Sequence, residues 1–258
     1  MRWIELENAV NVRDVGGLPA DGGSQTRQRQ LVRSDNLQDL SPADVTRLVD
    51  EIGVTTVVDL RSANEVESEG PGPLKALTSV EHVHLSLLPE AGAMTDVAKD
   101  ALAVNRERAI KRDPDDVAGA FYIGYLEDRP DSVVNALRTI AAAPGAALVH
   151  CAAGKDRTGV VIAMALSAVG VPREQVIADY VATGERIEQI LDRLRSSPTY
   201  AADIDNIPAH EHDPRPEIMS RFLTHLDNNH GGPIAWLAEQ GFDQHDVDRL
   251  RAKLLETE

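Results

Sequence analysis

A short apolar segment, a glycine-containing loop and a longer apolar segment follow one another directly near the middle of this chain. Residues 146–150 read Ala-Ala-Leu-Val-His after the turn Pro144-Gly145, a pattern typical of a buried strand. Residues 160–166 are apolar on every side, which is typical of a central helix. A buried strand that enters a buried helix through a tight loop favours an α/β fold with a central, mostly parallel sheet flanked by helices.

Further strands and helices are predicted on both sides of this unit. Ser41 followed by Pro42 predicts a helix start, and Gly53 predicts its end. The almost continuously apolar Val54–Arg61 then predicts a second buried strand, and Val83–Leu88 a short third one. Residues 94–142 read as mostly helical, with breaks near 113–114 and 129–130 where prolines occur.

The C-terminal half is predicted to be helical. After Pro172, apolar residues recur at spacings of three, four and seven, which predicts one helix as far as Leu194. The pattern is lost between Ser196 and Pro216, and two more helices close the chain, the last introduced by Asp243. We expect residues 1–258 to form a single domain, with 180–216 as a helical lid over the site.

Charge and cysteine content limit the classes of partner. The chain has 258 residues, a net charge of −16 and an isoelectric point near 4.9. Such a surface argues against nucleic acid or an anionic membrane as a partner. A single cysteine excludes an internal disulfide and favours a reducing compartment. No signal peptide and no apolar run of ~20 residues is visible, so the default expectation is cytoplasmic, with export by another route left open and the oligomeric state unknown.

The loop His150–Gly159 carries the chemistry. At the start of a helix, free backbone N–H groups and the positive end of the dipole converge, and such a place binds phosphate. These groups also favour the thiolate of Cys151 over its thiol, which makes it a nucleophile. Arg157, six positions later, can hold two phosphoryl oxygens with its planar guanidinium. Thr158 can donate a hydrogen bond to the sulfur.

Small residues between the cysteine and the arginine leave the amides open to a ligand. Ala152, Ala153 and Gly154 keep the loop thin, so that N–H groups rather than side chains face the phosphate. Lys155 adds a second cation to the same loop.

Other functions for this loop fit its residues less well than phosphate-ester chemistry does. A nucleotide-binding loop requires Gly-Lys followed by Ser or Thr, whereas Lys155 precedes Asp156. A zinc site would need further cysteines. A sulfur-transfer enzyme also places a cysteine in a tight loop after a strand, but it leaves Arg157-Thr158-Gly159 unexplained. A lone buried cysteine is often only a small apolar side chain.

The residues of the loop, His-Cys-x5-Arg-Thr-Gly, resemble the signature of the cysteine-dependent protein tyrosine phosphatase superfamily. The form at His150–Gly159 is similar to the bacterial PtpB-like group of tyrosine, dual-specificity and phosphoinositide phosphatases. Asn11–Gly17, Leu31–Asp35 and Val57–Ser62 resemble further blocks of that group in the same order, and residues 236–255 resemble its closing helices. The resemblance covers almost the whole chain.

The resemblance implies roles for individual residues. Cys151 is the expected nucleophile and Arg157 the phosphate ligand, while Lys155 is associated with tolerance of phosphoinositides. The proton donor is open: Asp156 in the loop is the first candidate and Glu90 the second, where relatives tend to have an aspartate after a proline.

Four further residues are expected to support the loop rather than to react. Arg13, Asp14 and Arg33 lie in motif blocks that are expected to pack beside it. His150 is expected to orient the cysteine, or else to be a hydrogen-bonded core histidine.

Asp59 is expected to support the loop structurally through Arg61. The acidic and histidine-rich stretch 203–213 is an alternative candidate for a metal site. The proposed chemistry needs no metal and no cofactor.

Together these features predict a phosphomonoester hydrolase that acts on phosphotyrosine and also on phosphoserine or phosphothreonine in proteins. The first alternative is a phosphoinositide or small-metabolite phosphatase with the same mechanism. The second is a module that binds phosphorylated partners without turning them over.

Overall fold

A six-stranded sheet forms the centre of the chain. The structure, a computed structural model, describes residues 2–89, 101–113, 117–201, 204 and 211–256, with the side chains of 101–106 left out. The strands are β1 (Arg2–Trp3), β2 (Arg13–Asp14), β3 (Leu31–Ser34), β4 (Val54–Asp59), β5 (Glu81–His84) and β6 (Ala146–His150).

The strand order β1-β2-β3-β6-β4-β5 places β6 in the middle of the sheet. Strands β3, β6, β4 and β5 run parallel, and β1 and β2 add an antiparallel edge. The predicted mostly parallel α/β fold is therefore confirmed. His150 is in register with Ser34 on one side and Asp59 on the other. The carboxyl ends of three parallel strands thus meet at one edge, where ligands bind in sheets of this kind.

Helices cover both faces of the sheet. They are α1 (Pro42–Thr46), α2 (Ala63–Glu69), α3 (Ala101–Arg112), α4 (Val117–Asp128), α5 (Pro130–Ala142), α6 (Asp156–Ala168), α7 (Arg173–Ala182), α8 (Ile187–Arg195), α9 (Pro216–His230), α10 (Pro233–Glu239) and α11 (Gln244–Leu254).

The side chains of β6 explain why this strand is buried on both faces. Val149 packs into the larger core cluster with helices α4–α6, whereas Leu148 packs into the smaller cluster beside α1. Helix α6 follows β6 and is buried along almost its whole length. Each fully buried Val, Leu or Ile contributes roughly 1.5–3 kcal/mol, so the loop between β6 and α6 is supported on both sides by rigid elements.

The predicted helix start at Ser41 is confirmed in detail. Ser41 and Asp44 form a reciprocal capping box, and the helical turns continue through a wider turn at Arg47–Ile52. Gly53, with φ of 85°, ends them in the left-handed conformation. Strand β4 ends at Asp59 and not at 61, because the Asp59 carboxylate accepts the backbone N–H of Arg61 and turns the chain.

The structure differs from the prediction at two other places, at strand β5 and between helices α7 and α8. Strand β5 covers Glu81–His84 instead of residues 83–88, since the Ser86 hydroxyl bonds to the backbone of Leu88 and forms a local turn. The single helix predicted from 172 to 194 is wrong, because a 3₁₀ turn at Thr183–Arg186 separates α7 from α8. This turn binds the N-terminal segment: Arg13 donates to the Thr183 hydroxyl at 3.0 Å.

Candidate active site

The loop from Cys151 to Lys155 connects the end of β6 to the first turn of α6. Cys151 is 2% exposed. The Thr158 hydroxyl, in the first turn of α6, donates a hydrogen bond to the Cys151 sulfur at 3.2 Å. The sulfur therefore lies beside the N-terminus of a thirteen-residue helix, where an anionic sulfur or a phosphate is stabilised.

Three successive carbonyl groups of this loop are hydrogen-bonded by neighbouring segments. The backbone N–H of Asn36 donates to the carbonyl of Ala152 at 2.9 Å, and the Asn11 amide donates to that of Ala153 at 2.9 Å. The guanidinium of Arg33 donates to the carbonyl of Gly154 at 2.8 Å. In a trans peptide unit the N–H points away from the carbonyl. The amides of residues 153–155 are thus turned to the side opposite these donors.

Gly154 allows the loop to approach β3 closely. Its φ is +67°, and a Cβ atom at this position would lie 2.3 Å from the carbonyl oxygen of Ser34. Both the backbone angle and the close contact require glycine. Gly154 therefore keeps the loop thin, as predicted, and also allows this close contact with the backbone of β3.

Arg157 is held by a carboxylate that the sequence analysis missed. Its two terminal nitrogens donate to the two oxygens of Glu65 at 2.6 and 2.8 Å. Glu65 belongs to α2, where it also forms a capping box with Ser62. Burial acts against ionisation, but the charge of Arg157 and its hydrogen bonds outweigh it and lower the pKa of Glu65. The pattern Ser62-x-x-Glu65 is typical of a capping box, and it is the one local sequence feature that could have identified Glu65 as structurally important.

A buried ion cluster lies beneath the loop. Asp179 of α7 pairs with Arg13 at 3.1 Å and with Arg33 through a shorter contact, and all three side chains are at most 1% exposed. Burial and the neighbouring Arg33 lower the pKa of Arg13 to about 10, so Arg13 stays charged at neutral pH. Arg13 is linked to the loop through Asn11, which accepts a hydrogen bond from its Nη1 at 2.5 Å, and through Asp179 and Arg33.

Asp14 is not part of this support. Its carboxylate accepts the backbone N–H groups of Gly16 and Arg29, both at 2.9 Å, and so shapes the connection between β2 and β3. The expectation that Asp14 packs beside the loop is wrong, because alternate side chains of a strand point to opposite faces.

His150 and Asp59 lie at the ends of neighbouring strands. Nε2 of His150 is 3.7 Å from the Asp59 carboxylate, and Arg61 donates to the same carboxylate at 2.6 Å. Burial lowers the pKa of His150 to about 4, so its ring is neutral at pH 7. Burial opposes ionisation of Asp59 as well, but His150 and Arg61 together hold its pKa below the ordinary range. Because His150 is neutral at pH 7, the charge and hydrogen bonds of Arg61 stabilise the ionised Asp59 carboxylate there.

Lys155 and Asp156 form an ion pair where the loop enters α6. Lys155 Nζ lies 2.8 Å from Asp156 Oδ1. The Lys155 side chain is 11% exposed and the Asp156 side chain 36% exposed. Asp156 is therefore the more accessible of the two. Glu90, the second candidate proton donor, lies outside the described residues.

Part of the predicted lid segment packs on the loop. Ala152 belongs to a cluster formed with the apolar face of α8 and with Tyr200 and Ile204 beyond it. Arg193 of α8 donates to Asn36 at 2.8 Å and makes a shorter contact with Asp35. Residues 202–203 and 205–210 lie outside the described part of the chain, and they include most of the candidate metal-binding stretch 203–213. Within the described part, no group of three or more acidic, histidine or cysteine side chains is arranged to hold a metal ion.

The sequence of the whole chain matches a known family. A sequence model of the tyrosine phosphatase family matches residues 4–256. The chain belongs to the tyrosine phosphatase family. It is 29% identical to the triple specificity protein phosphatase PtpB of Mycobacterium tuberculosis over 283 aligned positions, which span 97% of this chain and 98% of that protein. It is also 25% identical to a tyrosine-protein phosphatase of Nostoc commune, over 87% of this chain and 74% of that protein.

Family membership makes this chain a phosphoric monoester hydrolase with phosphorylated proteins as its class of substrate. The predicted recognition and the predicted enzyme class are thereby confirmed. Among the described residues, no helix is long and apolar enough to cross a bilayer.

Proposed function

We propose that this tyrosine phosphatase works through a phosphocysteine on Cys151, with the phosphate held by Arg157 and by the amides of residues 153–155. Sγ attacks phosphorus, the bond to the tyrosine oxygen breaks and that oxygen leaves as phenolate or, once protonated, as phenol. Water then attacks phosphorus, the P–S bond breaks, and inorganic phosphate and the thiolate are released. The proposal rests on the hydrogen bonds that the carbonyls of Ala152, Ala153 and Gly154 accept. These bonds turn the N–H groups of residues 153–155 to the opposite side of the loop.

The position of Thr158 supports the second half of this cycle. Its hydroxyl already donates to Cys151 Sγ, and a hydrogen bond to sulfur stabilises the thiolate as it leaves phosphorus. His150, Asp59 and Arg13 support the loop without touching the phosphate in this proposal.

Hydrolysis of a phosphotyrosine peptide, a phosphoserine peptide and a monophosphorylated phosphoinositide, with chelator present, tests this mechanism. We expect metal-independent turnover that Cys151→Ser abolishes, since serine is not ionised at neutral pH. Arg157→Lys removes the planar fork while keeping the charge, and Arg47→Lys on the exposed side of the fold is its matched control. Turnover by Cys151→Ser would refute the phosphocysteine. Phosphopeptide binding without turnover by the unmodified chain would make it a recognition module.

Phosphoinositides are the second class of substrate that we propose, and Lys155 is the observation that favours them. Lys155 lies two positions before Arg157, and its ammonium group is 2.8 Å from the partly exposed Asp156 carboxylate, where an additional phosphate on a polyphosphorylated headgroup can reach it. PtpB is named a triple specificity phosphatase. We expect Lys155→Met to reduce turnover of phosphoinositides more than that of phosphotyrosine peptides, and equal losses would contradict this role.

A further inference from the structure

A groove lined by cations, the basic groove, lies at the edge of the sheet opposite the active site. It has a volume of about 390 Å³ and is lined by Arg27, Arg249 and Lys253 among others. Arg27 comes just before β3, and Pro144, which also lines the groove, comes just before the neighbouring parallel strand β6. The five residues of β6 span about 15 Å. That length of strand separates the basic groove from the active-site loop.

Hydrogen bonds between its walls hold the basic groove in shape. Lys253 Nζ on α11 donates to the carbonyls of Ala143 and Gly145 at 2.8 and 2.6 Å. Arg27 Nη2 donates to the carbonyl of Leu255, just after α11, at 2.8 Å. Helix α11 is thereby tied to the segments that lead into β3 and β6. The cations are already held in place, so a ligand that binds them has little ordering of side chains to offset.

The three positive charges are not neutralised within the basic groove. A carbonyl carries no full charge, and the bonds just described leave N–H donors of both Lys253 and Arg27 free among the described residues. No acidic residue lines the groove, and none of the three cations forms an ion pair within the described part of the chain. Asp246, one turn before Arg249, pairs with Arg138 at 2.7 Å instead.

The cations also oppose one another. Burial and the charge of Arg27 lower the pKa of Lys253, so the charged form of this lysine is destabilised in the empty groove. An anion placed between the two side chains would remove this repulsion. The arrangement therefore favours a negatively charged ligand.

We infer that the basic groove binds a compact polyphosphate, a small molecule with two or three neighbouring phosphate groups. Its two guanidinium groups match the oxygens of phosphate in two-point hydrogen bonds, and the ammonium group of Lys253 adds a third charge. The volume is in the range of small-molecule sites. This site lies beyond the proposed function and does not depend on the mechanism at Cys151.

Two features exclude larger or stacked ligands. The net charge of −16 repels an extended polyanion such as nucleic acid or an anionic membrane, whereas a compact anion meets only the local cations. Among the described residues that line the basic groove, none is aromatic, so a nucleotide base would find no ring on which to stack. The phosphate groups themselves are therefore the recognised part of the ligand.

Isothermal titration calorimetry with tripolyphosphate, at pH 7 and low ionic strength, tests the inference. The titration uses Cys151→Ser with a saturating phosphotyrosine peptide, which keeps the active site occupied without turnover. We expect tripolyphosphate to bind this complex at a single site. Orthophosphate should bind at least about tenfold more weakly, because it reaches fewer of the three cations.

Arg249→Gln is the decisive variant. Arg249 is exposed and has no hydrogen bond among the described residues, so its substitution should leave the melting temperature and, in the chain with Cys151 intact, phosphotyrosine turnover unchanged. The dissociation constant of tripolyphosphate should rise about tenfold or more. Arg27→Gln should weaken binding in the same way. Arg108→Gln, at a half-exposed arginine on α3, is the matched control and should leave the affinity unchanged.

Three outcomes would overturn the inference. Tripolyphosphate that binds only when the peptide is absent would belong to the active site. Equal affinities of Arg249→Gln and Arg108→Gln would show that the basic groove is not the site of binding. Orthophosphate that binds as tightly as tripolyphosphate would exclude a polyphosphate as the preferred ligand.

Discussion

Arg157 and Glu65 meet in a two-point ion pair, in which each terminal nitrogen of the arginine donates to a different oxygen of the glutamate. The two residues are separated by 92 positions and come from the start of α6 and the first turn of α2. The pair fixes the plane of the guanidinium, which leaves its remaining N–H groups in a set direction. Helix α2 therefore determines where the guanidinium of Arg157 points.

Glu65→Gln should reduce kcat/KM by about a hundredfold. Glutamine preserves the capping box with Ser62, but it cannot accept from both nitrogens of Arg157, so the guanidinium loses its orientation. Steady-state kinetics on a phosphotyrosine peptide would measure the loss. Glu67→Gln, on the exposed side of the same helix, should leave kcat/KM unchanged, and an equal loss in both variants would contradict the role of Glu65.

Asp179→Asn should lower the free energy of unfolding by about 3–5 kcal/mol, because it leaves two buried guanidinium groups without a counter-charge. Urea denaturation at pH 7 would measure the change. Asp192→Asn is the control, since that side chain is 75% exposed on α8 and should change the free energy of unfolding by no more than about 0.5 kcal/mol. Similar urea midpoints for Asp179→Asn and Asp192→Asn would show that the buried ion cluster contributes little to stability.

Gly154→Ala should abolish binding of an oxyanion such as vanadate, since the new methyl group would collide with the Ser34 carbonyl and displace the loop amides. Gly17→Ala is matched to it: the φ is +81°, but no atom lies within 4 Å of the added Cβ. Gly17→Ala should lower the free energy of unfolding by about 1–2 kcal/mol through backbone strain, but the variant should still be inhibited by vanadate. Inhibition of both variants alike would exclude a special role for the close contact at Gly154.

Stability should decrease as the pH falls from about 6.5 towards 4, through the protonation of His150. Its pKa is about 4 in the folded chain and about 6.5 in an unfolded one. The unfolded state therefore binds the proton first, and acid favours unfolding throughout this window. Below the window the loss reaches about 3 kcal/mol.

His150→Gln should flatten this dependence between pH 6.5 and 5, where carboxylates contribute little. Urea denaturation of both proteins across this range would test it. Identical slopes in the two proteins would show that His150 is not the group that titrates.

Arg193→Gln should speed proteolytic cleavage near α8, because Arg193 connects this helix to Asp35 and Asn36 beside the loop. Without it, local opening becomes more frequent. Limited proteolysis with and without a phosphate analogue would compare the rates, and the exposed Arg195→Gln is the control. If α8 covers the site, the analogue should slow cleavage; equal cleavage in both states would argue against a lid.

Elements that depend on short-range signals could be predicted from the sequence. The apolar runs gave β4, β6 and α6, and the capping residues Ser41 and Asp243 gave two helix starts. The loop from Cys151 to Thr158 could be recognised because its residues are contiguous. In each case the physical signal lies within about ten residues of the element that it specifies.

The partners of the loop could not be predicted, because they depend on long-range contacts. Asp179 lies 166 residues from Arg13, and Tyr122 lies 34 residues from Asp156. In the sequence alone, Asp179 resembles any surface aspartate of a helix, and Tyr122 resembles any core tyrosine. Neither shows a local signal of its distant partner. The break between α7 and α8 was missed for the same reason, since the groups that stabilise its turn come from the N-terminal segment.

The three carbonyl contacts of the loop from Cys151 to Lys155 also determine when the folding chain can bind an oxyanion. Their donors come from residues 11, 33 and 36, more than a hundred positions from the loop, and Arg33 depends in turn on Asp179. A nascent or partly folded chain lacks these contacts, so an oxyanion that requires the oriented amides binds only the completed fold. Such a ligand raises stability in proportion to ln(1 + [L]/Kd). We therefore expect inorganic phosphate or vanadate to raise the melting temperature, and this shift would report on formation of the complete fold without any substrate turnover.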